Sequence, residues 1–193
     1  EHMTEKDYLE VLKKNLDEQR DHHSLCVASS ARELAKKYGA DVDKAYLCGL
    51  LHDVTKQLKS EIQLQIIEKS DIIKVESTQG IEKIYHSKSG AAYVHDVLGI
   101  NDPEIIGAIS CHTTAKPGMS RLETVLYIAD FISSDRDYPD VEVMRILARE
   151  DLLQAVKYSL AYTVGDLVAR RLSVHTDTFA AYNSYIAAET LGW

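Results

Sequence analysis

The stretch GLLHDVTK, residues 49–56, places a histidine and an aspartate side by side at the end of an apolar run. A helix is predicted over 42–52, because Asp41 is a good N-cap residue. Leu50 and Leu51 would then face a core. An isolated His-Asp pair at a helix end is usually a polar cap. Its meaning depends on which other polar side chains the chain brings to the same place.

Composition and length predict one globular domain. The chain has 193 residues and a formal net charge of −8, which argues against a broad, non-specific grip on nucleic acid. No apolar run approaches the roughly 18 residues of a membrane span. The three cysteines lack CxxC spacing, which favours reduced thiols in a cytoplasmic protein. Residues 1–3 are expected to be a cloning remnant, which leaves 4–193 as a single domain.

The apolar periodicity predicts an all-α protein. The segment Asp102-Pro103-Glu104 combines an N-cap residue, a proline at the first helical position and an acid, which is a strong helix start. Ser120 opens a capping box. Asp140 and Asp151 are expected to cap two further helices, and a last helix is predicted over 179–191. No alternating strand pattern interrupts this sequence.

Asp130 lies in the otherwise apolar helical stretch 125–132. A buried carboxylate costs several kcal/mol when it has no partner, so Asp130 needs a metal ion or a cation beside it. The structural alternative is a salt bridge with Arg136 or Arg145.

The histidines differ in where the helical pattern places them. Counting back from Val27 in steps of three and four puts His23 on the core face and turns His22 away. His95 and Asp96 form a second His-Asp pair, but it lies within a helical stretch, and we interpret it as structural.

A set of six residues falls at helix ends or on apolar faces, where each alone would more often be structural. Neutral imidazoles and carboxylates suit iron, manganese or zinc. Six such ligands are too many for one metal with an open position, but enough for two metals that share a carboxylate. The candidate metal ligands are His23, His52, Asp53, His86, His112 and Asp130.

The order H…HD…H…H…D resembles the HD-domain phosphohydrolases. Arg20 precedes the first histidine by three residues, and Lys56 follows the HD aspartate by three. Within that class, the segments 112–119 and 127–139 resemble the YqeK family of symmetrical diadenosine tetraphosphatases. The resemblance implies an all-helical HD-domain bundle, a di-iron centre and hydrolysis of diadenosine tetraphosphate to two ADP.

The resemblance also implies roles for individual residues. His23, His52, Asp53 and Asp130 match the basic HD metal set, His86 and His112 secure a second metal, and Asp53 bridges the two. Arg20, Lys56 and Arg136 match substrate-binding positions. A loop before the last helix contacts the nucleotide in the family, and an ordinary turn is the alternative for the residues found there, which are Ser173, Val174, His175, Thr176, Asp177, Thr178 and Asn183.

The mechanistic hypothesis is attack on the middle of the phosphate bridge by a hydroxide that bridges the two metals. Asp53 and Lys56 are the candidate catalytic residues, and ADP or GDP would bind as product-like ligands. The alternatives are hydrolysis of another nucleotide (an alarmone, a dNTP or a cyclic dinucleotide) and a non-catalytic nucleotide sensor. No nucleic-acid or membrane partner is expected. A homodimer is a further possibility, because apolar Leu152, Leu153, Val156 and Leu160 would suit a core or a dimer interface.

Overall fold

The computed structural model describes residues 3–193, so Glu1 and His2 of the expected cloning remnant lie outside the described residues. Over this range the chain forms ten α-helices and two 3₁₀ turns, and no β-strand. The all-α prediction is therefore confirmed. The helices are α1 (Glu5–Asn15), α2 (Glu18–Tyr38), α3 (Val42–Leu51), α4 (Ser60–Lys69), α5 (Tyr85–Asp96), α6 (Pro103–Cys111), α7 (Arg121–Ile132), α8 (Val141–Glu150), α9 (Leu152–Ala169) and α10 (Thr176–Ile186).

Helix α2 lies against both α3 and α7, and α6 packs between α5 and α7. The approach of α3 to α2 depends on Gly49, because a Cβ atom added there would lie 2.4 Å from the Ala28 Cα atom. Only glycine fits this contact without a shift of the backbone. The close crossing brings the end of α3, with His52, to the face of α2 that carries His23.

Side-chain caps start most of the helices where the sequence predicted them. Asp41 accepts hydrogen bonds from the backbone N–H groups of Asp43 and Lys44. Ser120 and Glu123 form the expected capping box.

One predicted helix start was wrong, and at another the helix begins as predicted but without the expected side-chain cap. Asp140 stands at the N-cap of α8, but its side chain makes no cap bond and accepts a hydrogen bond from the Tyr158 hydroxyl at 2.9 Å. The last helix begins at Thr176 and ends at Ile186, earlier than predicted. The reason is that the His175 side chain caps it by accepting from the backbone N–H of Asp177.

The apolar positions at the start of α9 belong to the core. Leu152, Leu153, Val156 and Leu160 are buried within the single chain. They are therefore unable to form the dimer interface that was their alternative assignment. None of the helices between residues 3 and 193 combines the length and hydropathy that crossing a bilayer requires.

Candidate metal centre

The six candidate ligands lie together, although they come from five different helices or the turns that follow them. Five of them are buried, and the Asp130 side chain is 20% exposed, which makes Asp130 less enclosed than the sequence suggested. His52 caps the end of α3, and His112 the end of α6. Helix ends therefore converge on one point and bring their polar residues with them.

Asp53 lies at the middle of this cluster, with a pair of histidines at each carboxylate oxygen. Its Oδ2 atom is 3.3 Å from His52 Nε2 and 3.9 Å from His23 Nε2. Its Oδ1 atom is 3.4 Å from His86 Nε2 and 3.5 Å from His112 Nε2. One carboxylate thus faces two distinct pairs of imidazoles.

Asp130 completes one side of the cluster. Its Oδ1 atom lies 3.1 Å from His23 Nε2 and 3.7 Å from His52 Nε2. Arg136 donates from Nη2 to the same oxygen at 2.7 Å, and from Nε to the Asp130 carbonyl at 2.8 Å. The salt bridge predicted as the alternative to a metal therefore coexists with the histidine contacts.

The prediction that Arg145 could pair with Asp130 was wrong. Arg145 donates to the backbone carbonyl oxygens of Ile132, Ser133 and Arg136 at 2.9–3.1 Å. It holds the loop after α7 in place and does not reach the carboxylate.

Hydrogen bonds fix the rings of the buried histidines. His52 donates from Nδ1 to the Gly49 carbonyl, and His112 donates from Nδ1 to the Ile109 carbonyl, each at 2.7 Å. Because a carbonyl oxygen only accepts, a proton lies on Nδ1, and in the neutral form of the ring the lone pair of Nε2 points into the cluster. This is the tautomer that a metal ligand requires.

Buried polar atoms without partners show that the cluster fits a divalent cation. Within the described residues, His52 Nε2 and Asp53 Oδ1 are buried and make no hydrogen bond. Such orphaned atoms are rare, and an ion on the Oδ2 side would satisfy His52 Nε2 while one on the Oδ1 side would satisfy Asp53 Oδ1. The ligand atoms of two groups, His23–His52–Asp130 and His52–Asp53–His112, each lie within 4.8 Å of one another.

Electrostatics keep the Asp53 carboxylate ionised and the His86 ring neutral, whereas the neighbouring Asp53 outweighs burial and raises the pKa of His52. Burial alone would raise the pKa of Asp53, but the neighbouring His52, His112 and Lys56 hold that pKa well below its ordinary value. Burial, reinforced by His112, lowers the pKa of His86 to about 3. His86 is therefore neutral near pH 7 and able to donate its lone pair.

Three cations surround the cluster at its open sides. Arg20 donates from Nη1 to Asp53 Oδ2 at 3.0 Å, and Lys56 Nζ lies 3.6 Å from the same oxygen. Arg136 is the third. Arg20, Lys56 and Arg136 are each partly exposed, so their remaining N–H groups can reach an anion.

Cavities open on two sides of the cluster. A cavity of about 240 Å³ is lined by Arg20, His23, Arg136 and Tyr138, among others. A larger one, of about 740 Å³, reaches His86 and carries three lysines. The lysines that line this larger cavity are Lys56, Lys59 and Lys83.

A third cavity, of about 350 Å³, shares Glu82, Lys83 and Thr113 with the larger one and extends it toward the loop before α10. Ser173, His175 and Thr178 line this extension. Both ring nitrogens of His175 are bonded inside the chain, Nε2 to the Ser77 carbonyl and Nδ1 to the Asp177 N–H. The other predicted loop contacts are not among the residues that line this cavity, and these are Val174, Thr176, Asp177 and Asn183.

Sequence reasoning missed Asp135. Its Oδ2 atom lies 2.6 Å from Nδ1 of His23, although 112 positions separate the two residues. Asp135 follows a helix in a polar loop, where an acid is unremarkable, so no local signal distinguishes it. The prediction for His22 was correct, since His22 is exposed. His95 bonds Asp96 away from the cluster, although this pair ends α5 and does not lie in mid-helix as the sequence predicted.

Comparison with known proteins agrees with this fold. The family model of the HD domain matches residues 20–135. A symmetrical bis(5′-nucleosyl)-tetraphosphatase from Halalkalibacterium halodurans is 37% identical and covers 92% of this chain and 95% of its own. One from Bacillus subtilis is 35% identical over 94% of this chain and 97% of its own.

A crystal structure from Clostridium acetobutylicum, described as a predicted HD superfamily hydrolase involved in NAD metabolism, superposes with a TM-score of 0.92. It is 32% identical and covers 97% of this chain and 99% of its own. An all-helical bundle with histidines and aspartates at converging helix ends defines the HD-domain class. The chain belongs to the HD-domain family and, within it, to the group formed by these two tetraphosphatases.

Proposed function

We propose that the protein is a metal-dependent hydrolase that cleaves diadenosine tetraphosphate symmetrically to two ADP. The observation that carries the proposal is the position of Asp53, with His23 and His52 at one oxygen and His86 and His112 at the other. The names of the two bacterial relatives, both symmetrical tetraphosphatases, support the same reaction.

His23, His52 and Asp130 would hold one metal ion, His86 and His112 a second, and Asp53 would serve both. Iron is the ion we propose, with manganese or zinc as alternatives, because all three accept imidazole and carboxylate ligands. When bound, two such ions supply Lewis-acid polarisation of a phosphate and lower the pKa of a coordinated water. The residues themselves fix the ring tautomers and keep the carboxylates ionised.

The two cavities that flank the cluster suit the two halves of the substrate. His23 lines the smaller cavity and His86 the larger one, so a polyphosphate that passes over Asp53 would have one ADP half on each side. Arg136 offers N–H donors to phosphate oxygens on the first side, and Arg20 adds a second guanidinium. Lys56 would neutralise charge on the leaving ADP on the second side.

The apolar extension of the larger cavity suits an adenine base. Ile81, Ile84, Leu167 and Leu172 contribute its apolar lining. Ser173 and Thr178 are the predicted loop contacts that line it, whereas His175 would contribute shape because its ring nitrogens are already bonded. Nucleotide contacts by Val174, Thr176, Asp177 and Asn183 stay predictions from the family resemblance.

Product analysis tests the proposal directly. Anaerobically purified protein should contain two metal ions per chain and convert diadenosine tetraphosphate to ADP alone. AMP with ATP as products would contradict symmetrical cleavage. Faster turnover of an alarmone, a dNTP or a cyclic dinucleotide would favour the alternative substrates, and retention of metal without any turnover would favour a sensor.

We also propose a cytoplasmic location. It is supported by the free thiols of Cys26, Cys48 and Cys111, two of which are buried. Dimer formation stays a prediction, for which the molar mass in solution at several concentrations is the test.

A further inference from the structure

His23 differs from His52 and His112 in the group that holds its ring. His52 and His112 donate from Nδ1 to the carbonyl of the residue three positions earlier, which helical geometry places within reach. The Nδ1 atom of His23 lies 2.6 Å from the Asp135 carboxylate instead. A charged side chain on a different segment thus does for His23 what the local backbone does for the other two.

Asp135 is held in place for this contact. Its side chain is 22% exposed, and the Arg145 guanidinium fastens the surrounding loop through the carbonyls of Ser133 and Arg136. The carboxylate accepts the Nδ1 proton of His23, which leaves a lone pair on Nε2 in the neutral ring. That lone pair faces Asp130 Oδ1 at 3.1 Å. Arg136 Nη2 lies 3.5 Å from the same Nε2 atom and 2.7 Å from Asp130 Oδ1, so a cation already lies beside both electron-rich atoms.

We infer that Asp135 is a positioning residue that determines how tightly the metal position formed by His23, His52 and Asp130 holds its ion. The inference rests on the metal centre proposed above. A carboxylate behind a ligating histidine fixes its tautomer and ring orientation, and loss of such a partner costs about 10- to 100-fold in metal affinity. The position served by His86 and His112 does not contact Asp135 within residues 3–193, so the two positions should respond differently to its removal.

Binding of Mn²⁺ to metal-stripped Asp135→Ala protein tests the inference, with free Mn²⁺ followed by electron paramagnetic resonance. We expect one of two ions to bind about 10- to 100-fold more weakly than in the parent, and the other to bind as before. Asp135→Asn should have an intermediate effect, because the amide oxygen still accepts the Nδ1 proton but carries no charge.

Asp137→Ala is the matched control. It removes an acid from the same loop, and Asp137 has no hydrogen bond or ion pair to the cluster in the described part of the chain. Both Mn²⁺ ions should bind to this variant as they do to the parent. Thermal unfolding of the metal-free proteins shows whether Asp135→Ala is folded, and if it is not, the Asn variant decides.

The outcomes separate this inference from the proposed function. Unchanged binding of both ions to Asp135→Ala, or equal weakening of both, would overturn the inference and leave the metal centre standing. A parent protein that binds no Mn²⁺ would overturn the metal centre and the inference together.

Discussion

The chain contains the dipeptide His-Asp twice, once in the metal cluster and once on the surface of α5. His52 and Asp53 are 0% and 1% exposed. The side chains of His95 and Asp96 are 27% and 35% exposed, and His95 Nδ1 lies 2.6 Å from its neighbour's carboxylate. Identical residues therefore have different surroundings.

The difference lies in what the histidine Nδ1 atom bonds. At the first pair, the Gly49 carbonyl accepts the His52 proton, which leaves Asp53 free to face four imidazoles. At the second pair, His95 and Asp96 bond each other and nothing converges on them from other helices in the described structure. The dipeptide becomes a site only where a helix ends against the ends of other helices.

Replacement of the central carboxylate should have the largest effect. Asp53→Ala removes the group that would serve both metal ions, so turnover should fall by more than about 100-fold, the upper range for loss of a partner behind a ligand. Metal analysis of the purified variant should show fewer than two ions per chain. Full turnover with both metals retained would contradict the assignment of Asp53.

Removal of the metal ions should have the second-largest effect. An ion that binds only the folded chain stabilises it by about 2.7 kcal/mol at 100 times its Kd, which corresponds to roughly 5–10 °C in Tm for a chain of this size. Calorimetry before and after chelation measures the shift. Asp53→Ala should lose most of it, whereas the Asp96→Asn variant should keep it. An unchanged parent Tm would argue against resident metal.

A smaller effect is expected at the edge of the cluster. Arg136→Lys keeps a charge but loses the fork that binds the Asp130 carboxylate and carbonyl together. A hydrogen bond to a charged group contributes about 1.5–3 kcal/mol, so turnover should fall about tenfold or more. Steady-state kinetics measure it, with exposed Arg149→Lys as the control. If the two variants had equal kinetic constants, the assignment of Arg136 to the site would be contradicted.

The smallest effect is expected at the second dipeptide. Asp96→Asn breaks a partly exposed local pair, so the free energy of unfolding should change by no more than about 0.5 kcal/mol. Denaturant unfolding measures the change, and turnover should match the parent. A large loss of activity would mean that the two His-Asp pairs are coupled.

Most of the fold was predictable from the sequence because its signals are local. Caps such as Asp41 and Ser120 act within three residues, and apolar spacing reports the buried face of each helix. Local signals failed at the start of α10, which was predicted too late in the chain. His175 is an unusual cap residue, and its ring is held by the carbonyl of Ser77, which is distant in sequence.

The sequence by itself determined the helices, the six candidate ligands and their order, because each depends on residue type and local spacing. The tertiary structure alone decided how the two oxygens of Asp53 divide among four histidines, and that Arg145 fastens a loop instead of pairing with Asp130. It also brought Asp135 to His23 across 112 positions. These contacts join the ends of different helices, and only the packing of those helices, as at the close approach of Gly49 to Ala28, sets their distances.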